Sequence, residues 1–229
     1  AFTPQPWQQL IRVLSAMGHK EDTRQIAIAR EKHLRRIGRI GQTPPIWSHV
    51  WLMPCRYAAL ALHWLFGLLV AFGYRPLRLV CWMFLVWLLF GAVYWAAAQQ
   101  AIFAPSDPLI FNRRDLAHCR PDPEYLPDSS NPKAKVGNWY VCQDLKGEYA
   151  GFSPLIYSLD LILPLVDLQQ ERDWAPIIPT PKAVWYEELA QISPNHLTRW
   201  LVWFEILFGW VASLLLVAVL TGLANRDKE

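Results

Sequence analysis

Between residues 57 and 224 lie three apolar segments dense in aromatic side chains, and the charges around them are placed so unevenly that they dictate an orientation in a bilayer. A chain patterned this way must fold with lipid as part of its solvent, where backbone groups are satisfied only inside helices or closed barrels. Segments of this length and composition point to helices.

The clearest span covers 77–98 (LRLVCWMFLVWLLFGAVYWAAA), with Arg78 its only charge, at the very start. At about 1.5 Å per residue it crosses a hydrocarbon layer of roughly 30 Å. A second, 200–224 (WLVWFEILFGWVASLLLVAVLTGLA), is long enough to cross with tilt and is closed by the polar tail 225–229. Trp82, Tyr94, Trp95, Trp200 and Trp203 are expected in aromatic belts at the interface, with Trp87 and Trp210 deeper and packed. The third segment, 57–73, is short, contains His63 and lies between Arg56 and the pair Arg75 and Arg78.

Charge decides how these segments are arranged. Residues 1–78 hold 11 of the 22 Lys and Arg against three acids, whereas 99–198 hold eight bases against 13 acids. The positive-inside rule therefore places 1–78 in the cytoplasm and the long loop outside. A third span over 57–73 would put the basic N-terminal region on the opposite side from Arg75 and Arg78. The expected form is instead a helix lying in the interface, or dipping in and returning. The layout is an all-α integral membrane protein. It comprises a cytoplasmic helical hairpin (1–46), an interfacial or re-entrant segment (47–76), a transmembrane helix (77–98), an external region (99–199) with a short membrane-associated helix over 152–168, a second transmembrane helix (200–224) and a cytoplasmic tail (225–229).

The hairpin is amphipathic. Trp7, Leu10, Ile11, Leu14 and Met17 recur at helical spacing up to Gly18, and a second helix over 21–37 carries Arg24, Lys32, Arg35 and Arg36, with Arg39 just beyond. With Trp7, these bases are the candidate contacts to anionic headgroups or to a protein partner; no nucleic-acid module accompanies them. The spacing resembles one tetratricopeptide-like unit, which cannot bury its face alone and calls for a neighbour. That neighbour is either the chain's own membrane segments or a larger cytoplasmic domain or partner. Ala1 in place of Met fits removal of an initiator or a piece of a longer protein.

Cys119 and Cys142 both fall in the acidic, Pro-rich external loop, and a disulfide between them would stabilise a region with little apolar material of its own by about 3 kcal/mol. Cys55 and Cys81 sit in or beside apolar segments as small hydrophobic residues. No metal-ligand spacing, dinucleotide fingerprint, flavin or haem attachment signature or redox dithiol occurs, so no cofactor and no catalytic residue is assigned.

Three acids stand in or beside apolar segments: Asp160, Asp167 and Glu205. Within 152–174, the apolar segment marked by Leu155, Leu159, Ile162, Leu163 and Val166 is too short to cross, and its position between two spans has the layout of a re-entrant pore helix, although no glycine-rich carbonyl filter comes after it. On a continuous helix Asp160 and Asp167 share a face, unless Pro164 bends it. The alternative is a surface helix whose carboxylates cap or pair with Arg172. Glu205 is either a functional intramembrane acid or an interfacial one partnered by Arg199. Gly209 with Ser213, and Ala218 with Gly222, suit close helix packing within a protomer or in a homo-oligomer.

The runs FTPQPWQQLIRVLSAMGHKEDTRQIAIAREKHLRR, FGYRPLR and FSPLIYSLDLILPLVDLQQERDW, in that order before a final span, resemble the C-terminal membrane module of a bacterial family. Its members are labelled membrane-associated oxidoreductases or repeat-containing membrane proteins. The resemblance implies an inner-membrane module that comes after an N-terminal repeat region; it implies little about activity. Three functions are therefore carried forward: a non-enzymatic anchor for a larger domain or partner, an oligomeric pore, and a membrane-associated oxidoreductase.

Overall fold

Helices dominate the chain. The computed structural model describes residues 3–38, 53–121, 137–145, 149–177 and 193–226. In order they form α1 (Gln5–Ala16), α2 (Lys20–Arg36), α3 (Met53–Val70), α4 (Pro76–Gln99), β1 (Phe103–Pro105), α5 (Pro108–Phe111), α6 (Pro154–Ile162), α7 (Gln170–Asp173), β2 (Trp174–Pro176) and α8 (Pro194–Arg226). The chain divides into two compact units, residues 1–82 with 215–229, and residues 83–214.

Three stretches are long and apolar enough to cross a bilayer: Pro54–Gly73, Pro76–Gln99 and Pro194–Gly222. The first, expected in the interface, thus meets the same length and composition standard as the other two.

In the first unit, Pro6 occupies the first turn of α1, where a missing N–H costs nothing. Gly18, at a φ of 80°, turns the chain into α2. Glu21 and Asp22 open α2 while His33, Arg35 and Arg36 close it, the arrangement that complements the helix dipole. The step from α3 to α4 is a left-handed turn at Ala71, Phe72 and Gly73. It folds the Phe72 ring back over α3, 4.7 Å from the His63 ring and so close to Gly67 that an added methyl there would lie 2.5 Å from it.

The second unit departs from an all-α plan. β1 and β2 pair antiparallel, with Phe103 opposite Pro176, Ala104 opposite Ala175 and Pro105 opposite Trp174. The ribbon is extended by Ser106 N–H to the Asp173 carbonyl and Ile177 N–H to the Ile102 carbonyl, both 2.8 Å. Three-residue strands are too short to show alternation in a sequence. The region also has more core of its own than expected: Phe103, Trp139, Phe152, Tyr157 and Trp174 are all buried. Phe103 stacks on Phe152 at 4.4 Å, and Phe152 packs on Trp174 at 5.4 Å. Cys119 and Cys142 are joined, their Cα atoms 5.7 Å apart.

α6 starts at Pro154 and stops at Ile162, short of the expected 168, because Pro164 has no N–H to continue the ladder and clashes with the preceding turn. Asp160 and Asp167 therefore do not share a helix. The end of α6 rests on α8 at Gly209, where a Cβ would lie 2.6 Å from the Ile162 carbonyl oxygen. Gly209 thus serves packing inside the chain, while Ala218 and Gly222 stay exposed.

Backbone, unlike the end of a flexible side chain, cannot yield cheaply. Gly209→Ala should destabilise the protein by about 1–3 kcal/mol, whereas Gly222→Ala, with open space around it, should be neutral. Thermal unfolding of the two variants in detergent checks the difference.

Candidate functional site: a buried carboxyl held by hydroxyls

Glu205 lies in the helix Pro194–Arg226, 11 residues from its start and so about three turns in. Its side chain is fully buried. Tyr94, from α4, donates its O–H to Glu205 Oε2 at 2.7 Å, and Ser158 Oγ, from α6, lies 2.5 Å from Oε1. The same Ser158 hydroxyl is 3.1 Å from the Trp87 carbonyl oxygen. Aromatic rings close the site: Tyr157 meets Tyr94 edge to face at 5.3 Å, and Phe90 and Phe103 pack on Tyr94 at 6.0 and 5.8 Å.

This geometry corrects two expectations. Glu205 is buried within the protein and is not paired with Arg199, whose guanidinium instead lies over the Trp203 ring at 5.8 Å. Tyr94 is not a belt residue but a buried hydrogen-bond donor. A serine hydroxyl owns one proton, whereas the Trp87 carbonyl and an ionised Glu205 would both require it. A carboxyl carrying its own proton would donate to Ser158 and release the serine proton to the carbonyl. The chemistry open to the cluster is to hold a proton, or pass one, along Tyr94, Glu205 and Ser158.

Asp160 and Asp167 belong elsewhere. Asp160 is buried and accepts the backbone N–H of Leu168 at 2.7 Å and of Glu171 at 2.9 Å, pinning the chain just beyond α6. Asp167 is exposed and accepts the Gln169 N–H at 2.8 Å. The two carboxylates thus cap backbone rather than pair with Arg172. With Glu171, Ile206 and Trp210 they border a cavity of about 340 Å³; Trp210, expected deeper, is 47% exposed there. Glu205 does not line this cavity, so the three acids are not brought together.

The remaining candidates scatter. Trp7 stacks on His33 at 5.9 Å, and Arg24 lies 3.8 Å from Glu21. Lys32 and Arg36 are exposed and Arg35 is half-buried; Arg39 lies outside the described residues. His118 pairs with Asp144 at 2.8 Å beside the disulfide. The adjoining sulfurs are bonded to each other, so this cluster offers no thiolate pair to a metal. Ser158 and Tyr94 were missed by sequence reasoning. The available signal was the serine in YSLD, a hydroxyl in a nine-residue helix that is apolar apart from Tyr157, Ser158 and Asp160.

Comparison of the chain with protein-family models, curated proteins and solved structures finds no match.

Glu205→Gln keeps an acceptor for Tyr94 and an N–H donor for Ser158, so it should cost about 1 kcal/mol or less. Glu205→Ala strands both hydroxyls in a buried site and should cost about 3 kcal/mol. Chemical unfolding of both variants in detergent checks the ranking; equal losses would show that the hydrogen bonds carry no weight.

Burial, together with the neighbouring Asp160 and Asp167 carboxylates, raises the Glu171 carboxyl above the ordinary glutamate range. An acid whose folded value lies above its unfolded value binds its proton more tightly when folded. Stability should therefore rise as pH falls from the folded value towards the ordinary one. Glu171→Gln should flatten that part of the stability profile, measured as melting temperature against pH.

Proposed function

We propose that the chain is a non-enzymatic membrane module that anchors and assembles a larger protein domain or partner at the cytoplasmic face of a bacterial inner membrane. The observation that carries this reading is on α1. The helix buries none of its residues, and Leu10, Val13 and Met17, spaced i, i+3 and i+7, are 47%, 54% and 64% exposed. A soluble-facing stripe of that kind is an interaction surface without its partner.

Protein suits the stripe better than lipid does. Helices that lie on membranes carry a rim of Lys and Arg beside the apolar face, whereas α1 has Arg12 alone among Gln5, Gln8, Gln9 and Ser15. Anionic headgroups fall to the bases of α2 instead. The resemblance to a bacterial membrane module that comes after a repeat region supports the same reading, as does the excess of bases in residues 1–78 for the cytoplasmic side. A pore draws support only from the acid-lined cavity after α6. No arrangement of side chains among the described residues supports oxidoreductase chemistry.

The test uses the full chain in native membranes. Wild type should extract as a larger assembly than the triple variant Leu10→Asp, Val13→Asp, Met17→Asp, although both insert equally, and a photo-crosslinker attached at Val13→Cys should reach protein. Lipid as the sole crosslinked species, or an unchanged assembly in the triple variant, would sink the reading. A cation current from purified protein in liposomes would favour the pore.

A further inference from the structure

α2 and α3 are linked at three points that run in opposite chain directions. Glu21 pairs with Arg75 just beyond α3, Glu31 lies 3.6 Å from His63 in its middle, and Gly38 stands where a Cβ would be 3.7 Å from Arg56 near its start. The steps are 10 and 7 residues on one side and 12 and 7 on the other. The three contacts follow one another in antiparallel order along the side of α3 that carries Arg56 and His63.

α2 is a water-soluble helix, with nine ionisable Lys, Arg, Asp and Glu among its 17 residues. The side of α3 that meets it carries the polar residues of that helix, Arg56 and His63, seven positions apart and so on one face. The opposite half of α3 is wholly apolar and uncovered. Tyr57, Leu62, Trp64 and Leu65 are 67%, 65%, 53% and 41% exposed, and Ala58 and Ala61 between them are exposed too.

We propose that α3 lies in the plane of the membrane, with α2 along its aqueous side and the face of Tyr57, Ala61, Leu62, Trp64 and Leu65 seated in the acyl boundary of the bilayer. A span would have lipid or apolar helices on all sides at mid-depth, and here a charged helix reaches the middle of α3 through Glu31 at His63. An in-plane helix has what these residues supply: one apolar half with Tyr and Trp among its aliphatic residues, and one polar half facing water. Arg24 and Arg35 fall on the same stripe of α2 as Glu31, at i−7 and i+4, and so lie on the side nearer the headgroups. Lys32 and Arg36 do not share it. Two helices, Pro76–Gln99 and Pro194–Gly222, are then left to cross. The placement does not depend on what α1 binds.

The experiment is a depth scan. Single cysteines at positions 56–69 in the full chain, with Cys55→Ser and Cys81→Ser as background, are spin-labelled in liposomes containing anionic lipid. Collisions with oxygen are compared with collisions with a water-soluble nickel chelate. The in-plane helix gives depth that oscillates every three to four residues, deepest at 57, 61, 64 and 65 and shallowest at 56 and 63, with no drift along the chain. A profile that is shallow at both ends and deepest in the middle on every face means a span and overturns the proposal. Uniformly shallow values mean that no lipid is contacted and overturn it equally. The labels at 57, 58, 61, 62, 64 and 65 replace exposed side chains, so folding is retained where the two profiles differ most.

Discussion

Glu205 sits three turns inside a helix long enough to span, shielded from water, and its two oxygens are held by hydroxyls from α4 and α6. The geometry around it is a consequence of that requirement. A buried carboxyl without hydrogen bonds costs several kcal/mol, so Tyr94, Ser158 and Glu205 must stay within reach of one another. Small residues permit the approach. At Gly91 a methyl would meet the Leu155 side chain at 2.6 Å, and at Gly209 it would meet the Ile162 carbonyl at the same distance. α6 is thereby pressed against both of its long neighbours. Trp87 fixes the contact further by donating its indole N–H to the Leu155 carbonyl at 2.8 Å. The buried polar atoms thus specify how α6 docks, while the aromatic rings around them supply most of the area.

The short helix α6 combines the length expected of a re-entrant pore helix with contacts that give it a packing role. At nine residues, α6 is about 14 Å long, which alone would suit a half-membrane helix. The chain beyond Ile162, however, is backbone gathered by a single buried carboxylate: both oxygens of Asp160 are occupied by the amides of Leu168 and Glu171. Asp160 therefore has a structural task of its own, with one amide held on each oxygen. Asp167, exposed, closes its own turn with Gln169.

Sequence made the long helices, the hairpin and the Cys119–Cys142 bridge legible, because each rests on a local signal: length, period, or two cysteines in one polar loop. The β1–β2 ribbon was not legible. FAP and WAP give no alternation, and their pairing joins residues some seventy positions apart. Nor was the role of Tyr94 readable, since a tyrosine near a span end is equally suited to an interfacial belt and to a buried donor. Only the position of Ser158 on a separate helix separates the two. Glu205 was flagged for its residue type, while its partner was misassigned to Arg199 because the nearest cation in sequence points at an aromatic ring instead.

The first unit poses the opposite problem, since composition alone treats α3 as a third span. Hydropathy averages over a helix and discards which side each residue is on, whereas contacts restore that information. Each Lys, Arg or Asp moved to the bilayer centre costs about 2.5–3.5 kcal/mol, so α2 cannot accompany α3 to mid-depth with nine such charges and keep the contacts made by Glu21 and Glu31. Either those contacts break on insertion or α3 stays shallow. Retaining them leaves residues 1–38, Arg56, Arg75 and Arg78 on one side of the membrane, the arrangement that the positive-inside rule favours. Contacts and charge distribution both support the shallow placement proposed above.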